Sequence, residues 1–197
     1  MELTKRQIKI LLGTLIGDGR LQSLSKRSAR LRIEHSLKQK FYVWWKYRQF
    51  QKIMQDKPEI LERKNPIFGK VYHYCRCQTL CLSELKKFHR LFYKGKRKRV
   101  PRELARLFVS PLSLAVWYMD DGYYYRRDKT AYIYLSEYSL KEYRLLQEIL
   151  RENFGLNTHL YQKKGGYCLY FPVKNSKKLI KIVKPYILKG FEYKISS

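Results

Sequence analysis

LLGTLIGDG at Leu11–Gly19 and LAVWYMDDG at Leu114–Gly122 are two apolar runs that each stop at Asp-Gly. Their last carboxylates, Asp18 and Asp121, lie 103 positions apart. Each run predicts a helix ended by glycine. A helix C-terminus already carries partial negative charge, so a carboxylate placed there is disfavoured. Two such carboxylates brought together repel unless a cation sits between them. The pair reads as one site assembled from two halves.

The sequence around the runs repeats with them. SLK at Ser36–Lys38 returns at Ser139–Lys141, the same offset of 103. ARLRI at Ala29–Ile33 aligns with AYIYL at Ala131–Leu135, Tyr74-Cys75 with Tyr167-Cys168, and Lys94-Gly95 with Lys189-Gly190. The order of matches is kept and the offsets drift only as loop lengths do, so the chain reads as a duplicated unit of roughly 95–100 residues. Each unit reads helix, two strands, helix, two strands, helix.

The predicted helices carry matching punctuation. The first opens on a Thr4/Gln7 capping box and runs through Ile8–Gly17; its counterpart opens at Ser110-Pro111. The second helices start at Ser36 with Gln39 and at Ser139 with Glu142, both capping boxes. The third span roughly Leu82–Tyr93 and Ser176–Leu188, with Pro185 bending the last. In the strand Arg30–Glu34, Leu31 and Ile33 point one way and the charges the other; Tyr132–Ser136 alternates in the same phase. That is the pattern of antiparallel sheets with one covered face. The facing of Tyr167–Phe171 is ambiguous, because apolar residues fall on both sides. The fold class is therefore α+β, two pseudo-two-fold αββαββα halves at 1–95 and 111–197. A basic linker lies at 96–110, preceded by the start of the run KGKRKRV at Lys94–Val100.

The chain has 43 Lys+Arg against 16 Asp+Glu, a formal net charge of +27. Such a surplus points to a polyanionic partner, of which nucleic acid is the usual one. An apolar content of 45% supports a real core and excludes a disordered basic tail. No run is long and apolar enough for a membrane span, and the N-terminus lacks a signal-peptide pattern, so no membrane partner is expected. Cys75, Cys77, Cys81 and Cys168 do not make a zinc spacing and read as buried thiols in a reducing compartment. His35, His73, His89 and His159 show no metal spacing; His35 and His73 fall on strands, where core or surface roles are expected.

With these motifs the chain resembles the LAGLIDADG homing endonucleases, in particular their single-chain, double-motif, intron-encoded branch. The resemblance covers nearly the whole chain. It implies that the two motif helices pack side by side and that the antiparallel sheets form a saddle for DNA. It makes Asp18 and Asp121 the metal-binding carboxylates, and basic residues near each centre map to Lys98 and Lys194. Divalent ions held by carboxylates suit phosphodiester cleavage, since they activate water and neutralise the leaving oxygen. Mg²⁺ fits oxygen ligands, with Mn²⁺ as a substitute, and carbonyls at Gly17 and Asp120 are candidates to complete the shell. By register Asp121 is the ligand and the adjacent Asp120 carboxylate is peripheral. Gly13 and Gly17 allow close helix packing, whereas Val116, Trp117 and Asp120 make the second motif's packing face unequal to the first.

Recognition is expected from the sheet faces, since a two-stranded ribbon fits the major groove. Arg30, Arg32, Tyr72, Tyr74, Arg76, Gln78, Tyr132 and Tyr134 are candidate readers, with Arg20 beside them. The loops at 22–28, 63–70, 123–129 and 162–166 carry Lys26, Arg27, Lys64, Arg126, Arg127, Lys163 and Lys164 toward the backbone phosphates, with Lys70, Tyr123, Tyr125 and Lys129 as further DNA-binding candidates. The expected activity is Mg²⁺-dependent, site-specific cleavage of double-stranded DNA by a monomer. The resemblance implies that each half cuts one strand, leaving short 3′ overhangs. The alternative is an RNA-binding maturase acting on group I intron RNA, and a third is a non-cutting DNA-binding regulator. The paired carboxylates favour the nuclease. Either a bacterial cytoplasm or an organelle matrix or stroma is the expected compartment.

Overall fold

The computed structural model describes residues 2–135, 138–163 and 166–195. It divides into two units, Met1–Gln7 with Asp18–Leu91, and Ile8–Gly17 with Phe92–Ser197. The first motif helix, α1 (Lys5–Ile16), thus begins in the first unit and has most of its length in the second. The Thr4/Gln7 capping box forms: Gln7 N donates to Thr4 Oγ1 at 3.2 Å and Thr4 N to Gln7 Oε1 at 2.9 Å.

The first unit holds β1 (Arg20–Ser23), β2 (Ala29–Ser36), α2 (Lys40–Gln49), β3 (Glu59–Lys64), β4 (Val71–Gln78) and most of α3 (Ser83–Phe92). The strands form one antiparallel sheet in the order β1-β2-β4-β3. Alternation decides its inner face. Leu31, Ile33, Cys75 and Cys77 are buried together with Tyr42, Val43, Phe50 and Leu85, while Arg30, Arg32 and Glu34 lie on the other side. Burial pushes the Cys77 thiol up to about 12, as expected of an inert core thiol. Cys81 departs from the expectation of four buried thiols and is exposed. The capping box expected at Ser36 does not form. Ser36 is still paired with Tyr74 as the last residue of β2, a 3₁₀ turn over Leu37–Gln39 follows, and α2 starts at Lys40 without a side-chain cap.

The second unit continues with β5 (Tyr93–Lys94), β6 (Arg97–Lys98), α4 (Leu104–Leu107), α5 (Pro111–Asp121), β7 (Gly122–Tyr125) and β8 (Thr130–Leu135). It ends with α6 (Leu140–Phe154), β9 (His159–Lys163), β10 (Gly166–Phe171) and α7 (Val173–Val183). Its sheet order, β7-β8-β10-β9, repeats the first. Here the Ser139/Glu142 capping box forms, and Glu142 also accepts from Val100 N at 3.1 Å and Arg97 Nη2 at 2.7 Å. The basic run therefore is folded: it turns through Gly95, whose φ of +61° suits glycine, and closes the β5–β6 hairpin. Pro185 lies in a 3₁₀ turn over Lys184–Tyr186 after α7 has ended; lacking an N–H, it stops the helix where a bend was expected. Cys168, Leu169 and Phe171 are all buried, which is why the alternation in that strand was ambiguous.

Within this unit α1 and α5 pack closely. Both are buried on every side over Ile10–Ile16 and Leu112–Met119, as befits helices that are apolar all round. A Cβ added at Gly13 would lie 2.4 Å from Ser113 O and 2.8 Å from Val116 Cβ. Ser113 Oγ also donates to Lys9 O at 2.8 Å. Gly13→Ala is therefore expected to lower stability by about 1–3 kcal/mol despite alanine's better helix propensity, because a backbone carbonyl cannot move aside cheaply. Thermal unfolding should show Tm lower by several degrees; an unchanged Tm would refute this helix contact.

Candidate functional site

Each motif helix ends on a carbonyl that receives a lysine. Lys98 Nζ, brought in by the β5–β6 hairpin, donates to Gly17 O. Lys194 Nζ donates to Asp120 O at 3.2 Å and to Met119 O at 2.6 Å. Lys194 is 6% exposed, its ammonium is 5.2 Å from the Phe191 ring centre, and its own carbonyl accepts from Tyr118 Oη at 2.8 Å. An ammonium against the last carbonyls of a helix offsets the negative end of the dipole. The residue after each carbonyl is a carboxylate, Asp18 after Gly17 and Asp121 after Asp120. The two helix ends are thus built alike, and the cations sit where the carboxylates' own charge is disfavoured.

The environments of the acids differ. Asp18 has a side chain 48% exposed, and its Oδ2 lies 3.5 Å from His35 Nδ1. His35 is buried, and its Nε2 lies 3.4 Å from Nζ of Lys46, a lysine with 0% exposure that sits 4.2 Å from the Tyr42 ring centre. Asp121 Oδ2 is shielded from solvent. Burial, with Cys168 and Asp121 nearby, pushes the Tyr143 phenol above its ordinary range. The Asp120 carboxylate packs on Gly17: a Cβ there would be 2.5 Å from Asp120 Oδ2. Sequence gives His35 only a core or surface role and does not single out Lys46, whereas the fold sets His35 beside the Asp18 carboxylate. His35 shares the buried parity of Leu31 and Ile33, and a lysine with no exposure has no local sequence signal.

Asp18 opens onto the outer face of the first sheet through a cavity of about 530 Å³, lined also by Arg20, Arg32, Glu34, His35, Ser36, Gln39, Arg63 and Tyr74. The arginines there are held by acids. Glu34 accepts from Arg32 at 2.8 Å and Arg63 at 2.6 Å, and Glu59 accepts from Arg76 at 2.6 Å. Burial alone would raise the Glu34 carboxyl, but the Arg63 and Arg32 bonds outweigh it and hold it below the usual range. Arg30 Nε donates to Gln22 Oε1 at 2.9 Å, and Gln78, Tyr74 and Tyr72 lie on the same face of β4.

The remaining candidates fall at the sheet ends. Lys26 and Arg27 are exposed between β1 and β2, and Lys64 and Lys70 flank the β3–β4 turn. Arg126, Arg127 and Lys129 form the β7–β8 turn, where Lys129 adopts φ +52°. Tyr123 and Tyr125, expected in that loop, are on β7 itself and join Tyr132 and Tyr134 of β8. Lys163 ends β9, and Lys164 lies outside the described residues.

Duplicated αββαββα units, buried motif helices and carboxylates at matching helix ends define a double-motif nuclease scaffold. The chain belongs to the LAGLIDADG DNA endonuclease family, whose sequence profile matches residues 8–179. It is 27% identical to a probable intron-encoded endonuclease 1 of Wickerhamomyces canadensis, over 98% of this chain and 85% of that one. It is 26% identical to DNA endonuclease I-ChuI of Chlamydomonas applanata, over 100% of this chain and 97% of that one. The structure is similar to that of the homing endonuclease I-WcaI bound to its DNA recognition sequence, with a TM-score of 0.91, 26% identity, and coverage of 100% and 88%. Other relatives are longer: the chain spans 47% of a RecA protein of Mycolicibacterium flavescens, to which it is 29% identical.

Proposed function

We propose that this chain is a site-specific endonuclease that cuts both strands of DNA at a long recognition site, using divalent ions held by Asp18 and Asp121. The observation that carries the assignment is the equivalence of the two helix ends. Lys98 on Gly17 O and Lys194 on Asp120 O mark the same position in each repeat, and the next residue is the carboxylate. The carboxylates and helix-end carbonyls offer oxygen donors, which fit Mg²⁺, and Mn²⁺ accepts the same ligands and also the imidazole nitrogen that His35 holds 3.5 Å from Asp18 Oδ2. Such ions, when bound, supply a water acidic enough to attack phosphorus and neutralise the departing oxygen. The protein's part is to present a carboxylate at each helix end and to keep an ammonium group on the carbonyl that precedes it. In this reading Lys98 and Lys194 would offset the negative charge that builds up on the phosphate during attack. Each half serves one strand, which leaves short 3′ overhangs, and one chain supplies both carboxylates, so a monomer suffices. Candidate loop lysines and arginines grip phosphates while the sheet faces read bases.

This reading places the protein's work in a bacterial cytoplasm or an organelle matrix or stroma. Among the described residues no helix is long and apolar enough to cross a membrane. The test is metal dependence on a DNA library. Cleavage with Mg²⁺ should select a defined site, excess EDTA should stop it, and Ca²⁺ should support binding with little turnover, since it accepts oxygen ligands in looser geometry. Robust cutting in EDTA would overturn the assignment.

A further inference from the structure

The outer faces of the two sheets carry opposite chemistry at equivalent positions. Arg30 and Arg32 on β2 correspond in the repeat to Tyr132 and Tyr134 on β8. Strand pairing extends the contrast. On the first sheet Arg20 stands opposite Arg32, and Arg32 opposite Gln78; Glu34 stands opposite Arg76, and Arg76 opposite Glu59. On the second, one row crosses all four strands as Tyr123, Tyr132, Tyr170 and His159. The next row sets Tyr134 and Tyr161 on either side of Cys168. Among the residues whose side chains are described, these two rows hold no Asp, Glu, Lys or Arg. The charges sit at the rim instead, in Arg126, Arg127 and Lys129 of the β7–β8 turn.

The rings are fixed against one another. Tyr132 lies 5.9 Å from Tyr134 with an interplanar angle of 19°, and 5.2 Å from Tyr170; Tyr161 meets Tyr170 edge-on at 5.0 Å. Tyr123 (46%), Tyr134 (42%) and Tyr161 (49%) remain well exposed. Ring faces engaged with each other are poorly placed to sandwich a flipped-out base, which leaves ring edges and hydroxyls for a ligand. A duplex offers one apolar group on a base edge in the major groove, the thymine C5-methyl. A guanidinium finds its best partner at the guanine O6 and N7 acceptors, two bonds that a phenol cannot reproduce.

We infer that the second sheet is a thymine-reading surface and the first a guanine-reading one, so that the DNA site is chemically lopsided: methyl-rich where β7–β10 lie and guanine-bearing where β1–β4 lie. This inference rests on the endonuclease reading and adds to it the base class that each half selects. Burying one methyl against the rings is worth about fourfold in affinity. An arginine bidentate to guanine is worth about tenfold or more.

The experiment selects duplexes from a randomised library with Ca²⁺ present, then rebuilds the selected site with deoxyuridine for thymine, which deletes only the methyl. In the thymine-rich half, the parent protein should lose about fourfold in Kd for each methyl that the rings cover, and nothing in the guanine-bearing half. 7-Deazaguanine, which removes N7, should show the reverse pattern. Tyr132→Ser with Tyr134→Ser should erase the deoxyuridine effect while keeping the guanine preference, which also reports a folded protein. Tyr132→Phe with Tyr134→Phe should preserve it. If the deoxyuridine site binds the parent as tightly as the thymine site, the inference is wrong and the endonuclease reading is untouched. Absence of any selected sequence overturns both. Binding of single-stranded oligonucleotides more tightly than duplex, lost in the serine variant, would make the face a stacking platform instead and overturn the inference.

Discussion

Asp18→Asn and Asp121→Asn are each expected to reduce double-strand cleavage by on the order of 10³-fold or more, while the affinity for the selected duplex stays within a few-fold of the parent's. Asparagine keeps the volume and one oxygen but loses the charge that holds a divalent ion, and with it the activated water. Binding should persist because the candidate phosphate contacts lie elsewhere, on loops that neither substitution touches. Cleavage and gel-shift assays on one labelled duplex measure both quantities. Asp120→Asn separates register from proximity. Its carboxylate packs on Gly17, yet its carbonyl is the one paired with Lys194, the position that Gly17 occupies in the first repeat. Milder loss is expected. Full cleavage by Asp18→Asn or Asp121→Asn would dismiss the proposed centre, and abolition by Asp120→Asn alone would move the second ligand one residue back.

Affinity should fall steeply with salt. Even if every acid were paired with a cation, a charge of +27 would be left over on 197 residues, and lysines and arginines gather at the sheet ends. If on the order of ten phosphates are neutralised, released counterions make binding about 10³-fold weaker or more between 50 and 200 mM salt. Not every cation contributes equally, since Arg32, Arg63 and Arg76 enter the complex already paired with acids. Exposed, unencumbered positions such as Lys26 in its loop should set the slope. A titration of Kd against salt that is nearly flat would mean that the charge serves something other than nucleic acid.

The repeat was legible because its signals are local. A glycine after an apolar run, a Ser-x-x-Glu box and a strict in-out alternation act within a few residues, and Ser139, Gly95 and β2 behave as their neighbourhoods dictate. Ser36 shows the limit. Its box pattern is intact, but strand pairing with Tyr74 holds it in β2, and a tertiary contact of that kind leaves no mark nearby in sequence. The hairpin in the basic run was hidden for a similar reason. Charge predicts solvation, whereas Glu142, far along the chain, draws Arg97 and Val100 into a folded hairpin. Within the candidate site, acids at helix ends and the two lysines were foreseeable from motif and resemblance. His35 and Lys46 were not, since a buried histidine on a strand and a buried lysine on a helix acquire meaning only from the Asp18 carboxylate that folding brings beside them.

Glu34 has a consequence for discrimination. Its carboxylate satisfies two guanidinium groups before any DNA arrives. If Arg32 or Arg63 reads a base, it does so by exchanging partners rather than by filling empty donors. An arginine gains from leaving Glu34 only where the base edge offers acceptors as good as the carboxylate, and a mismatched base offers worse. The acid thus acts as an internal competitor against which each candidate sequence is measured. Affinity for the correct site is lower than bare arginines would give, and a mismatched site that cannot draw the guanidinium away from Glu34 gains nothing from it. A nuclease that breaks both strands wherever it settles has more use for the second property than for the first.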